Sequence, residues 1–440
     1  MAFTPSTAAI GAKDFFPKNS LPQAVRERLA DRIIGRIRIR DPAFDDYFAG
    51  VRAELSPADD VLIITADADR VNAFAHYGGI IILMRGMWEY AVSEDGLLGI
   101  VAHEIAHVRL NHFKESKDLQ DTLTAITVPL LIAGLLSDDA EVQEAVIRGG
   151  TGIVTGQIYA HSRELEHEAD VLGLKILLDN NRDGMALAQM LGGLAGGGSE
   201  YISTHPAPAR RAAYIRDRLL GIPPANRGDS LDFMLLREKL SVRHGLQPKL
   251  KEDRQKALPA AFGNQKTTLQ FGLLHLANKT RDKKLGQEMF DALASSSHPF
   301  VAAERAEYIS RHGDHLAALE ILAAARNQHP QSAALAVRQL LIMRRAGKMR
   351  EIIKAYNAMS PSLQNRPDIL REASQALSSR GQNGQANLLL AKAHAAQGKF
   401  ELAERQLTIA AQYKMSTKML VEAEDMRELL KQEIRALKEK

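Results

Sequence analysis

His103-Glu104-Ile105-Ala106-His107 is the stretch on which the reading of this chain turns. On a helix, residues four apart share a face, about one turn above each other, so both imidazoles can hold one ion. Glu104 then lies beside that ion, placed to take a proton from an attacking water. The surrounding residues predict a helix over 94–114. Ser93 can cap its start, Glu94 and Asp95 suit the positive end of the helix dipole, and no proline interrupts it. Leu97, Leu98, Ile100, Val101, Ile105 and Val108 mark it as a buried helix. The plain alternative is a core helix with two incidental histidines. Burying two unpartnered imidazoles and a carboxylate argues against it, because unpaired polar groups are costly to desolvate.

Catalytic zinc usually has three protein ligands and one open position. The third candidate lies 59 residues past His107, in Ser162-Arg163-Glu164-Leu165-Glu166-His167-Glu168-Ala169-Asp170. Glu166 and Asp170 are four apart and share a helical face. Glu166 is the expected ligand. Asp170 is placed to accept a hydrogen bond from the far nitrogen of a ligating histidine and fix its tautomer. Glu164, His167 and Glu168 compete, but only Glu166 has both that partner and an apolar face of Leu165, Ala169, Leu172 and Leu177 beside it. In isolation the stretch reads equally as a solvated helix face.

A third polar region is Ser203-Thr204-His205-Pro206-Ala207-Pro208-Ala209-Arg210-Arg211. His205 precedes a proline, which favours extended or turn backbone. It is a candidate for an exchangeable fourth ligand or an oxyanion stabiliser. Arg211 is a candidate to hold the loop or to balance developing negative charge. A surface turn before a helix is the plain alternative.

These motifs, HEIAH, ELEHEAD and THPAPARR in that order, resemble the HtpX-like zinc metallopeptidases of the gluzincin type. The resemblance extends upstream through Val71 to Gly79. Within that family it is nearest to the periplasmic beta-barrel assembly-enhancing branch, which joins the catalytic domain to tetratricopeptide repeats. It covers roughly residues 20–440 and is tighter in the catalytic half. It implies His103, His107 and Glu166 as ligands of one Zn2+ per chain, Glu104 as general base and Asp170 as the carboxylate behind a ligand. It places His205 and Arg211 near the metal and makes Asn72, Ala73, Phe74 and Ala75 a substrate-facing strand. It also implies unfolded or misassembled protein substrates, outer-membrane assembly machinery as a partner of the repeats, and a periplasmic setting. Three features depart from the family pattern: His76 stands where an apolar aromatic is common, His161 and His167 flank the third-ligand motif, and Met1 to Leu21 lacks the apolar core of an export signal. That last point suits either a cytoplasmic protein or a mature chain with an added start.

Composition bounds the rest. At 440 residues the chain is long enough for two or three domains, each with its own core. With 57 basic against 53 acidic residues the net charge is only +4, and there is one tryptophan, so nothing argues for nucleic acid. The absence of cysteine excludes disulfides and thiolate metal sites. Leu123 to Leu136, LTAITVPLLIAGLL, is too short to span a bilayer. It reads as a helical element over or beside the cleft, with a buried core helix as the plain alternative and peripheral membrane contact as a second reading.

Strand signals cluster before the HExxH helix at 61–65, 71–75 and 80–84. Gly78-Gly79 joins the last two as a hairpin. The expected fold is therefore α+β. A mainly helical metallopeptidase domain with a small antiparallel sheet is followed by an all-α tetratricopeptide-repeat solenoid. A free edge strand there can hold a substrate backbone by main-chain hydrogen bonds. Gly192 to Gly198 reads as a mobile loop before His205. Gly313, Gly347 and Gly381 recur every 34 residues, the tetratricopeptide period. The expected layout is an extension at 1–21, the peptidase at 22–225, a helical linker at 226–267 and the repeats at 268–440. Two rival functions stand beside a zinc endopeptidase: a chaperone or scaffold with a latent zinc site, and a cytosolic peptidase acting on short peptides.

Overall fold

The computed structural model describes residues 23–58, 61–76, 78–112, 163–195, 201–225, 227–245 and 247–438. The apolar run at 123–136, the extension at 1–21 and His161 lie outside these residues. Two compact units divide the chain. One comprises Leu29–Ile39 and Phe48–Asp229, and the other Gln23–Arg28, Arg40–Tyr47 and the chain from Ser230 onward. No described helix is long and apolar enough to cross a membrane.

The first unit is built on a three-stranded sheet: β1 (Leu62–Ala66), β2 (Ala73–His76) and β3 (Ile80–Met84). Its order is β1-β3-β2. β2 pairs antiparallel with β3, Ala73 opposite Leu83 and His76 opposite Ile80. Gly78 and Gly79 between them both take positive φ, at 80° and 78°, as a tight hairpin requires. β1, however, pairs parallel with β3, Leu62 opposite Ile80. The sheet is thus mixed, not antiparallel as expected. The reason is topological: β2 returns one strand-width away from β1, and the hairpin then lays β3 into the gap.

β1 and β3 are buried at every position, so they read as continuous apolar runs instead of alternating ones. One core gathers Leu62, Ile64, Ile80, Ile82 and Met84 with Ala30, Ile33 and Ile34 of α1 (Gln23–Ile34). After α2 (Pro42–Leu55) and the sheet, α3 (Arg85–Tyr90) seats Trp88 fully buried, its indole N–H donating to Thr65 Oγ1 at 3.2 Å. α4 (Glu94–Arg109) follows and carries the HExxH motif. It ends five residues earlier than expected. Leu110 caps it, and Asn111 turns the chain with a φ of 56°.

α5 (Arg163–Asp179) packs on α4, and α6 (Gly184–Ala195) packs on α4 and on α8 (Pro208–Arg218). α7 (Tyr201–Thr204) is a single turn before His205. Two glycines allow the close approach. A Cβ on Gly173 of α5 would lie 3.1 Å from the His103 backbone, and one on Gly99 of α4 would lie 2.8 Å from Leu187 Cβ of α6. The glycine-rich stretch read as a loop is helical at its start: residues 192–195 close α6, and 196–200 lie outside the described residues.

Every element of the second unit among the described residues is helical. α9 (Leu231–His244), α10 (Gln247–Ala257), a 3-10 turn (Leu258–Ala260), α11 (Gly263–Thr280) and α12 (Lys283–Ala292) precede the alanine- and leucine-rich part. There follow α13 (Pro299–Arg311), α14 (His315–Gln328), α15 (Ala333–Arg345), α16 (Met349–Asn357), α17 (Pro361–Gln364), α18 (Pro367–Ser378), α19 (Asn383–Ala396), α20 (Phe400–Ala410) and α21 (Thr417–Lys438). Gly313, Gly347 and Gly381 take φ of 96°, 70° and 74° at the turns α13–α14, α15–α16 and α18–α19.

The cores hand over from helix to helix. Ala306, Leu322 and Leu335 join α13, α14 and α15; Leu340, Ile352 and Ile369 join α15, α16 and α18; Leu370 and Leu389 join α18 and α19. These helices stack mainly on near neighbours in the sequence. The segment 40–47 belongs here too. Asp46 accepts from the Ala333 and Ala334 backbone N–H groups at 2.8 and 3.0 Å, capping α15, while Asp41 pairs with Lys239 at 2.5 Å.

Glu307 is the electrostatic knot of this stack. It is 3% exposed and pairs with Arg311, Arg338 and Arg345. Burial pushes its carboxyl up, but the three guanidiniums outweigh that and hold it down at about 2. A carboxyl lowered on folding stabilises the fold above its unfolded value and loses that contribution as pH falls through its folded one. The Glu307→Gln variant is therefore expected to unfold more easily at pH 7 by about 3 kcal/mol, and the gap should close between pH 4.5 and about 2. Urea melts of both proteins across that range test it; an equal gap at every pH would contradict it.

Candidate metal centre

Four residues converge inside the first unit. Ligand atoms of His103, His107, Glu166 and His205 all lie within 4.8 Å of one another, and all four residues are buried. α4 supplies the histidine pair because its i and i+4 positions stack. α5 supplies Glu166 from the buried face that also holds Ala169, Asp170, Gly173 and Leu177. The competitors Glu164, His167 and Glu168 are exposed on the other face of α5.

The donor spacing suits a small tetrahedral cation. Donors about 2.0–2.1 Å from a zinc ion would lie about 3.3 Å apart. His103 Nε2 is 2.9 Å from His107 Nε2 and 3.4 Å from Glu166 Oε2, and His107 Nε2 is 3.3 Å from Glu166 Oε1. Two imidazoles and a carboxylate with no thiolate fit zinc chemistry in a hydrolase.

Asp170 lies one turn beyond Glu166. Its Oδ1 is 3.1 Å from His103 Nδ1, so it can hold that imidazole's tautomer. Arg211, from α8, donates to both Asp170 oxygens at 2.8 Å, contacts Glu166 and lies 3.2 Å from the His103 ring. Burial pushes the Glu166 carboxyl up, but His205, Arg211 and His103 hold it well below the usual carboxylate range. Burial and Arg211 push the His103 imidazole down, but hydrogen bonds to Asp170 and Glu166 raise it to about 9.

Glu104 is 1% exposed. Its Oε2 accepts from the Ala75 backbone N–H at 2.8 Å, and its Oε1 lies 3.3 Å from His205 Nε2. β2 is an edge of the sheet, so the carboxylate sits against the strand expected to face substrate. Within that strand, Ala73 N–H is held by Asn72 Oδ1 at 2.9 Å and Phe74 is half-buried. His205 Nδ1 lies 3.1 Å from Glu166 Oε1, and its ring stacks on Tyr201 at 4.3 Å between centroids.

Sequence reading passes over Tyr201 and His112. Tyr201 is a fully buried phenol under His205. His112 lies against His107, with Nδ1 to Nδ1 at 2.9 Å, and on its other side Nε2 is 3.3 Å from Glu168 Oε2. A third histidine five residues after the second was the available signal. It is off the helical face, so periodicity gives it no place.

Residues 48–219 match the model of peptidase family M48. A Vibrio cholerae protein, provisionally given the name beta-barrel assembly-enhancing protease, is 31% identical over 47% of this chain and 45% of its own length. The beta-barrel assembly-enhancing proteases of Yersinia pestis and Escherichia coli K12 are 29% and 28% identical, over 40% and 39% of this chain and 38% and 37% of their own. The chain spans less than half the length of these relatives.

Proposed function

We propose that this chain, a member of peptidase family M48 through residues 48–219, is a zinc-dependent endopeptidase that cuts unfolded or misassembled proteins. One observation carries the reading: a buried His103, His107 and Glu166 donor set adjoins a carboxylate, Glu104, that touches an edge strand. Bound zinc would polarise the scissile carbonyl and acidify the attacking water. Glu104 takes that water's proton and passes it to the leaving amine. The β2 edge, Asn72 to Ala75, docks the substrate as an added strand through its main-chain carbonyls, because the Ala73 and Ala75 N–H groups are already held by Asn72 and Glu104, and this suits extended chains over folded ones. Asp170 and Arg211 orient His103 and Glu166.

The relatives' names speak of β-barrel assembly, and the setting proposed for this chain is quality control of outer-membrane β-barrel proteins in the periplasm. Misassembled barrels expose unpaired strands, the form an edge-strand cleft accepts. Residues 268–440, read as tetratricopeptide repeats, recruit the substrate or the assembly machinery, and 226–267 connect them to the peptidase at 22–225.

His205 favours a second reading. It completes a four-donor cluster, and a closed site would leave a client-binding chaperone or scaffold with latent zinc. We read His205 as a latch. The test is hydrolysis of casein with bound zinc quantified. The His205→Ala variant should keep its zinc and cleave faster, about tenfold if the closed form predominates ten to one. A slower variant would make His205 an oxyanion stabiliser. No cleavage by either protein at stoichiometric zinc would move the reading to the chaperone.

A further inference from the structure

We infer that His112, backed by Glu168, is a positioning residue for His107, setting which ring nitrogen carries the proton and so how tightly the chain holds its metal. The inference rests on the zinc reading above and names a part of the site that the motif does not contain.

The placement begins in the backbone. α4 ends with Leu110 N–H bonded to Ala106 O at 2.9 Å, Asn111 N–H to Val108 O at 3.1 Å and His112 N–H to His107 O at 3.1 Å. With Asn111 at a φ of 56°, this is a left-handed helix cap that folds the next residue back over the last turn. Asparagine tolerates that conformation better than most side chains. The residue folded back is His112, 7% exposed, its ring centroid 5.0 Å from that of His107.

The hydrogen positions then follow from the contacts. His107 turns Nε2 towards His103 and Glu166. A lone pair used there leaves its hydrogen on Nδ1. That hydrogen points at His112 Nδ1, 2.9 Å away, which must be the acceptor. The His112 proton therefore sits on Nε2, facing Glu168 Oε2 at 3.3 Å. His103 is held differently, by Asp170 directly. The pair of ligands thus has one carboxylate partner and one neutral partner. The second arrangement orients a ring without adding another buried negative charge beside Glu104, Glu166 and Asp170.

The test is zinc affinity, measured by competition with a chromogenic chelator, together with the visible spectrum of the cobalt-loaded protein. The His112→Leu variant removes the acceptor and should weaken zinc binding about 10- to 100-fold. The His112→Asn variant puts a carbonyl oxygen near the place of Nδ1 and should recover most of the affinity and the wild-type cobalt spectrum. The Asn111→Gly variant keeps the left-handed cap and should bind as wild type does. The inference is overturned if His112→Leu binds zinc as tightly as wild type, or if His112→Asn is as weak as His112→Leu. The second result would mean that an acceptor at that place does not hold His107. A wild-type chain that takes up no zinc would overturn the zinc reading itself, and this inference with it. Tight wild-type binding with an indifferent His112→Leu overturns this inference alone.

Discussion

The Glu104→Gln variant should lose about 10²- to 10⁴-fold in casein hydrolysis while keeping a full complement of zinc. The side chain has two separable duties. Oε2 of Glu104 holds the Ala75 N–H at 2.8 Å and so ties α4 to the edge strand. A glutamine carbonyl oxygen can keep that bond, so β2 should stay in place. The amide cannot take a proton, so the base is gone. Glu104 is not among the clustered donor residues, so the metal should remain. The decisive readout is rate and zinc content on the same sample. More than a tenth of the wild-type rate at equal zinc would sink the base assignment, and loss of zinc would mean that Glu104 supports the ligands instead.

What the sequence made legible follows from which contacts are local. The α4 residues were readable because a cap, a helical period and a four-residue histidine spacing are all short-range. Ser93 Oγ accepts from Gly96 N–H at 3.2 Å, the cap that the sequence suggested. Glu166 was readable by its four-residue link to Asp170, although its distance from His107 in sequence says nothing of their meeting. His112 was not readable, because its position depends on a single backbone torsion at Asn111. The parallel pairing of β1 was hidden for a similar reason: strand order is set by where a connection lands, and 67–72 carries no sign of that. Asp46 lies furthest from any sequence signal. It caps a helix through Ser332, 286 residues away, and nothing near Asp46 announces a partner. Pairwise contacts at that range belong to the folded topology, not to periodicity or propensity.

The Arg211→Met variant should lower the stability of the metal-free first unit by roughly 3–5 kcal/mol, the cost of leaving buried carboxylates without their partner. Arg211 is 6% exposed. Nε and Nη2 both hold Asp170 at 2.8 Å, Nη1 contacts Glu166, and Nη2 also lies 3.2 Å from His103. Its donors are thus engaged with the groups that orient the metal ligands. That engagement decides between the two roles the residue suggests. A guanidinium reserved for negative charge developing during reaction would keep donors turned towards the substrate. Arg211 spends them on Asp170 and Glu166, so its main effect should appear without any substrate. At 2–4 °C per kcal/mol for a domain of this size, the melting temperature should fall on the order of 10 °C. Added zinc should recover part of the loss, since a cation bound to Glu166 supplies the missing charge and stabilises whatever fold binds it. Lysine is a poor substitute, because it carries the charge without the planar fork that spans two carboxylates. Arg211→Lys should therefore fall between wild type and Arg211→Met. Thermal melts of the three metal-free proteins, repeated with zinc, test the ordering. A wild-type melt in Arg211→Met with a collapsed kcat would reverse the assignment and place Arg211 at the reacting carbonyl.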